Sequence, residues 1–91
     1  MAVTLRIPTQ LRPLAGGNAS VEVEAASVAD ALAALDRAHP GFADRLFDES
    51  GKLRRFVNVF VADEDIRFLD GVQTVLTAGV VVSIVPAVAG G

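Results

Sequence analysis

The sequence predicts a two-layer α+β domain in which one main helix covers one face of a mixed sheet of four or five strands. Three observations carry this. Val3, Leu5 and Ile7 alternate with Thr4, Arg6 and Pro8, and Val21-Glu22-Val23-Glu24 alternates again, the period of strands with one buried face. Between residues 27 and 39 the apolar spacing switches to that of a helix. Two later runs, 55–61 and 80–85, are again rich in β-branched residues.

The first strand ends at Pro8 and Pro13, because proline lacks the N–H that a ladder needs. Gly16-Gly17-Asn18 tolerates positive φ and reads as a turn, so the second strand returns antiparallel to the first. Ser27 is placed to cap the helix that follows, with Asp30 at the third helical position. Val28, Ala31, Leu32 and Leu35 form its apolar stripe. His39-Pro40-Gly41 ends it: Pro40 disfavours a helical His39 and Gly41 suits a reversal.

Phe42, Leu46 and Phe47 have one-turn spacing and predict a short second helical piece, and 48–52 reads as a polar loop. The third strand is expected over 55–61, with Val57, Val59 and Val61 on one face and Phe56, Asn58 and Phe60 on the other. Asp63-Glu64-Asp65 reads as an acidic turn, 66–69 as a short apolar piece, and 72–77 is ambiguous between strand and helical turn. The last strand is expected over 80–85, stopped by Pro86. The chain is therefore expected to form one domain, 1–85, followed by a flexible tail, 86–91.

Composition excludes several kinds of chemistry. The 91 residues include no Cys, so there is no disulfide scaffold, thiolate metal site or cysteine nucleophile. His39 is the sole histidine, which rules out a multi-histidine metal centre. Eight Lys+Arg against eleven Asp+Glu give a net charge of −3, a poor balance for nucleic acid or an anionic membrane. Charged residues interrupt every apolar run before it could span a bilayer, and the N-terminus lacks a signal-peptide layout; a cytoplasmic protein is expected. At this size a core leaves no room for a deep cleft.

What remains is the C-terminus, Ala89-Gly90-Gly91. Glycines without Cβ atoms can extend through a narrow tunnel and present the Gly91 carboxylate to a buried site in another protein. The plainer reading is an incidental chain end. Two terminal glycines arise by chance in roughly one chain in two hundred. Everything after Val85 is uncharged and free of bulky side chains, which suits threading. Phe56 and Phe60, with Asn58, would form a docking patch if the third strand leaves that face open. Lys52, Arg54 and Arg55 form a small basic cluster, read either as solvated charge or as pairing with an acidic partner. Asp63-Glu64-Asp65 lacks the pattern of a calcium loop and reads as a solvated turn.

These residues resemble a known family over essentially the whole chain. Arg55-Phe56-Val57-Asn58-Val59-Phe60-Val61, then Asp63-Glu64-Asp65-Ile66-Arg67-Phe68-Leu69-Asp70-Gly71, and above all Val82-Ser83-Ile84-Val85-Pro86-Ala87-Val88-Ala89-Gly90-Gly91 are similar to the β-grasp sulfur carriers of the MoaD/ThiS kind, relatives of ubiquitin. The opening Ile7-Pro8-Thr9-Gln10-Leu11-Arg12-Pro13, with Gly16-Gly17, resembles the actinobacterial CysO type within that family. One departure is Ala78-Gly79-Val80, where the family usually has Asp-Gly-Asp; the glycine is kept.

The resemblance implies a ubiquitin-like β-grasp fold with a flexible tail. It implies a carrier with no active site and no bound cofactor of its own. A ubiquitin-activating-type enzyme with sulfurtransferase activity consumes ATP to adenylate Gly91, and a sulfur donor then leaves a thiocarboxylate there. The sulfur passes to a synthase of the cysteine synthase, molybdopterin synthase large-subunit or thiazole synthase type, cysteine being favoured. Ala89, Gly90 and Gly91 would thread, and Phe56, Asn58, Phe60, Pro86 and Val88 would dock the partner. The alternative is a ubiquitin-like modifier that forms isopeptide bonds through Gly91.

Overall fold

The computed structural model describes residues 1–86. Ala2–Arg6 (β1) runs antiparallel to Ser20–Glu24 (β2), as the alternation predicts, with Val3 opposite Val23 and Leu5 opposite Val21. Val28–Ala38 (α1) follows and ends at His39. Phe42–Leu46 (α2) is the short second helix. Val57–Val61 (β3), Glu64–Asp65 (β4) and Val81–Pro86 (β5) complete one five-stranded sheet in the order β2-β1-β5-β3-β4. Only the β1–β5 pair is parallel.

The helix forms for the reasons its sequence offers. Ser27 is extended, and its hydroxyl accepts the Asp30 N–H at 3.2 Å, satisfying one of the orphan donors of the first turn. Val28, Ala31, Leu32 and Leu35 are all buried against the inward residues of the sheet. Burying each of the two leucines contributes roughly 1.5–3 kcal/mol. Beyond His39 the chain turns through Gly41 at φ +115°, a conformation open to glycine. One carboxylate oxygen of Asp36 reaches across this turn and accepts the N–H groups of Gly41 and Ala43, at 3.2 and 2.9 Å. It thereby ties α2 to the helix before it.

Two expectations shift. Arg55 and Phe56 do not belong to the third strand. The Val57 N–H is bonded to the Arg54 carbonyl at 3.0 Å, closing a turn that holds both residues out of the ladder. Pro86 does not stop the last strand but is its final residue, opposite Val57. It is tolerated because β1 pairs with β5 only as far as Ser83, so no neighbour on that side asks for its missing N–H.

The stretches that read as irregular or ambiguous become short 3-10 turns over Thr9–Ala15, Ile66–Phe68 and Gly71–Gln73. Thr74 anchors the last of these. Its buried hydroxyl donates to the Gly71 carbonyl at 2.6 Å and accepts the Asp70 N–H at 3.1 Å. The Thr74 carbonyl in turn accepts the Val28 N–H at 3.1 Å, so this segment is pinned to the start of α1.

Candidate functional site

β5 is bonded on both sides over its first half, and its final residue, Pro86, is the last of the described residues. The C-terminal stretch therefore starts from an embedded strand, at the end of the sheet where β1 finishes and β3 begins. The expected tail residues Val88, Ala89, Gly90 and Gly91 lie outside the described residues. The structure does define what surrounds their point of departure.

Among the described residues no helix lies on the face of the sheet turned away from α1. Alternation and register set one row of side chains across it: Arg6 on β1, Ser83 on β5, Phe60 on β3 and Asp65 on β4. A neighbouring row joins Val85 to Asn58, and Val81 lies beside Thr4. Val81 and Val85 are 39% and 43% exposed, and Phe60 is half-buried. This is an open apolar strip bordered by polar groups, the arrangement of a protein-docking surface.

Asn58 and Phe60 thus share the open face as expected. Phe56 does not join them. Displaced by the turn before β3, it is half-exposed and lines a separate hollow of about 340 Å³ with Leu46, Ile84 and Pro86, toward the helical layer. The sequence reading missed Val81, Ser83 and Val85. Their run is β-branched on both faces, so no alternation betrayed which side lay open; only the register with β3 does.

Asn58 is held in place. Arg67 donates from Nη2 to Asn58 Oδ1 at 2.9 Å, and the same guanidinium grips both oxygens of Asp65, from Nη2 at 2.7 Å and from Nε at 3.2 Å. Hydrogen bonds from the Arg67 guanidinium and backbone hold the Asp65 carboxyl below the ordinary carboxylate range. The Asp63-Glu64-Asp65 cluster is thereby divided: Asp65 is committed to Arg67, while Asp63 and Glu64 face solvent. A second hollow, of about 610 Å³, sits on the other flank of Pro86 and is bordered by Arg6, Arg12 and Ser83.

A five-stranded mixed sheet with its helices on one face and the other face open defines a β-grasp domain of the ubiquitin-like class. The model of the ThiS family matches residues 5–91, and the chain belongs to that family of sulfur carriers. It is 46% identical to the sulfur carrier protein CysO of Mycobacterium tuberculosis, over the full length of both chains. Among solved structures it is similar to a chain of the Amycolatopsis orientalis BexX/CysO complex, with a TM-score of 0.91 and 45% identity, covering 98% of this chain and 99% of that one. It is also similar to SAMP1 of Haloferax volcanii, with a TM-score of 0.85 and 30% identity over the whole of both chains. No helix of the described residues is long and apolar enough to cross a membrane.

Proposed function

We propose that this chain carries sulfur as a thiocarboxylate on Gly91 and that it is a protein cosubstrate without an active site or bound cofactor of its own. The observation that carries the reading is that the family match runs through the final glycine, so the tail belongs to what the family shares. The chemistry of the residues agrees. With no cysteine, the chain offers no internal thiol to attack its own activated carboxyl or to trap its sulfur as a mixed disulfide.

The steps balance as acyl chemistry. The Gly91 carboxylate attacks the α-phosphorus of ATP on an activating enzyme, releasing pyrophosphate and leaving an acyl-adenylate. Hydrosulfide then attacks the acyl carbon and displaces AMP, leaving the thiocarboxylate with no change of oxidation state. An acceptor bound in a synthase takes the sulfur, and the carboxylate is regenerated on hydrolysis. The CysO relatives favour cysteine synthesis, in the cytoplasm where ATP is available; molybdopterin, thiamine and other sulfur metabolites are the further possible destinations. Asn58, Phe60, Val81 and Val85 would dock the enzymes, raising the effective concentration of the tail at their active sites.

The test is intact mass after incubation with the cognate activating enzyme, ATP and a sulfide source. The expected product is heavier by one oxygen exchanged for sulfur, in the C-terminal peptide, and is absent when Gly91 is deleted. Activity that survives the deletion would refute the role of Gly91. The likeness to SAMP1 supports a second reading as a protein modifier. That reading predicts lysine-linked adducts on immunoblots instead of a free thiocarboxylate.

A further inference from the structure

The basic residues of this acidic chain are gathered where the tail leaves. The two hollows that flank Pro86 are lined by Arg6 and Arg12 on one side and by Arg45 and Arg54 on the other. Asp44 is the one acidic residue that lines either of them. The formal charge of this pole is therefore 4 − 1 = +3, and that of the remaining charged side chains is 4 − 10 = −6, in a chain of net −3. The four arginines come from two distant stretches of sequence, 6–12 and 45–54, so their convergence is a product of the fold.

Toward the start of β5 the sheet carries acidic residues: Glu64 is opposite Val61, which is opposite Val82, and its neighbour Asp63 borders a shallow hollow together with Arg6, the arginine of the four that reaches toward this end. From Val82 to Pro86 is roughly 13 Å along the strand, at about 3.3 Å per residue, more than one screening length of about 8 Å in physiological salt. Among the described residues none of the four arginines forms an ion pair. Arg12 and Arg54 are instead steadied by hydrogen bonds to the carbonyls of Ile7 and Asp44, both at 3.2 Å.

We infer that this arginine pole is a steering and docking surface for a partner enzyme whose tail-accepting mouth is rimmed with aspartate and glutamate. The inference rests on the tail-threading reading above and adds the chemistry of the partner's surface. An acidic rim meets Arg12, Arg45 and Arg54 when the Pro86 end of the domain faces the mouth, whereas the other end of β5 brings Asp63 and Glu64 against like charge. The pole thus selects orientation and speeds encounter, while the apolar strip supplies contact area.

BexX of Amycolatopsis orientalis is a usable partner, since its complex contains a protein 45% identical to this one. The test compares two double reversals of equal net charge change. Arg6→Glu with Arg12→Glu alters the pole; Arg37→Glu with Lys52→Glu alters cations that line neither hollow. In low salt the first pair should slow association with BexX about tenfold or more, the difference closing as salt is raised, while the second pair leaves the rate near that of the unaltered chain. On a sulfonate resin at pH 7 the unaltered chain should be retained despite its net −3, and the first pair alone should abolish retention.

Equal losses for both pairs, no retention of the unaltered chain, or no complex with BexX would each overturn the inference. Loss of thiocarboxylate formation with resin and association results as expected would instead sink the carrier reading and leave the surface standing. Circular dichroism spectra of both double variants should match that of the unaltered chain, because Arg6, Arg37 and Lys52 are exposed and half-buried Arg12 gives up a single side-chain bond to the Ile7 carbonyl.

Discussion

Replacing Ala62 by glycine should stabilise this protein, against the usual direction for glycine. Ala62 and Asp63 join β3 to β4 in a two-residue hairpin loop, with Val61 paired to Glu64 across it. Both have positive φ, +49° and +70°. That is the type I′ geometry, which matches strand twist and favours Asn-Gly. Alanine holds the left-handed conformation at about 1–2 kcal/mol, through its Cβ against the following carbonyl. Glycine removes that penalty but gives the unfolded chain extra freedom worth about 0.4–1 kcal/mol. Ala62 is exposed, so no packing is lost, and its N–H bond to the Val81 carbonyl at 3.1 Å is retained.

The net is a gain of about 0.5–1 kcal/mol, or about 2–8 °C in Tm for a domain of this size. Thermal unfolding followed by circular dichroism reads it directly. Ala33→Gly is the counterpart: exposed, but in the middle of α1, where glycine destabilises by about 0.5–1 kcal/mol. If Ala62→Gly lowers Tm as Ala33→Gly does, the strain assigned to the loop is absent and the reasoning fails.

Removing the cap in Asp36→Ala should lower stability by about 1–2 kcal/mol in urea unfolding, since the N–H groups of Gly41 and Ala43 lose their acceptor; an unchanged midpoint would show that water replaces it fully. Thr74→Val keeps the shape but takes the acceptor from the Asp70 N–H, while the Gly71 carbonyl keeps its bond from the Thr74 N–H, and should cost about 1 kcal/mol by the same measurement. Both Asp48 and Asp65 are held below the ordinary carboxylate range, Asp48 chiefly by the Ser50 hydroxyl and Asp65 chiefly by the Arg67 guanidinium. Because the unfolded chain then binds more protons, their stabilisation is present above about pH 4 and is lost as pH falls through and below that value. Asp65→Asn should flatten this acid limb in a Tm–pH series, and an unaltered limb would count against the ion pair. Val85→Asp, on the open face, should weaken the BexX complex in a binding titration while leaving Tm within a few degrees; undiminished binding would remove that face from the interface.

What the sequence made legible was whatever depends on short range. The capped start of α1, its stripe and the end at His39 are set by neighbours within a turn or two, and all appear as read. The alternation of Val57, Val59 and Val61 likewise sorts the two faces of β3. Where a long-range partner decides, reading stopped. Phe56 leaves its face because Arg54 closes a turn, and Pro86 enters the sheet because β1 has already departed. Asp36 reaches across seven residues to Ala43, with no local signature. The arginine pole is the plainest case. Lys52, Arg54 and Arg55 looked like a cluster by adjacency, yet Arg54 shares its hollow with Arg45, and Arg6 and Arg12 line the hollow on the other flank of Pro86.

The parallel pairing of β1 with β5 has a mechanical consequence. A partner that grips the tail and pulls it away from the body of the protein applies force along β5, parallel to its neighbours. The hydrogen bonds to β1 on one side and β3 on the other are then loaded together in shear, where a strand peeled from an edge would lose them one at a time. A pull applied beyond Pro86 is therefore shared between two neighbouring strands and is not borne by one.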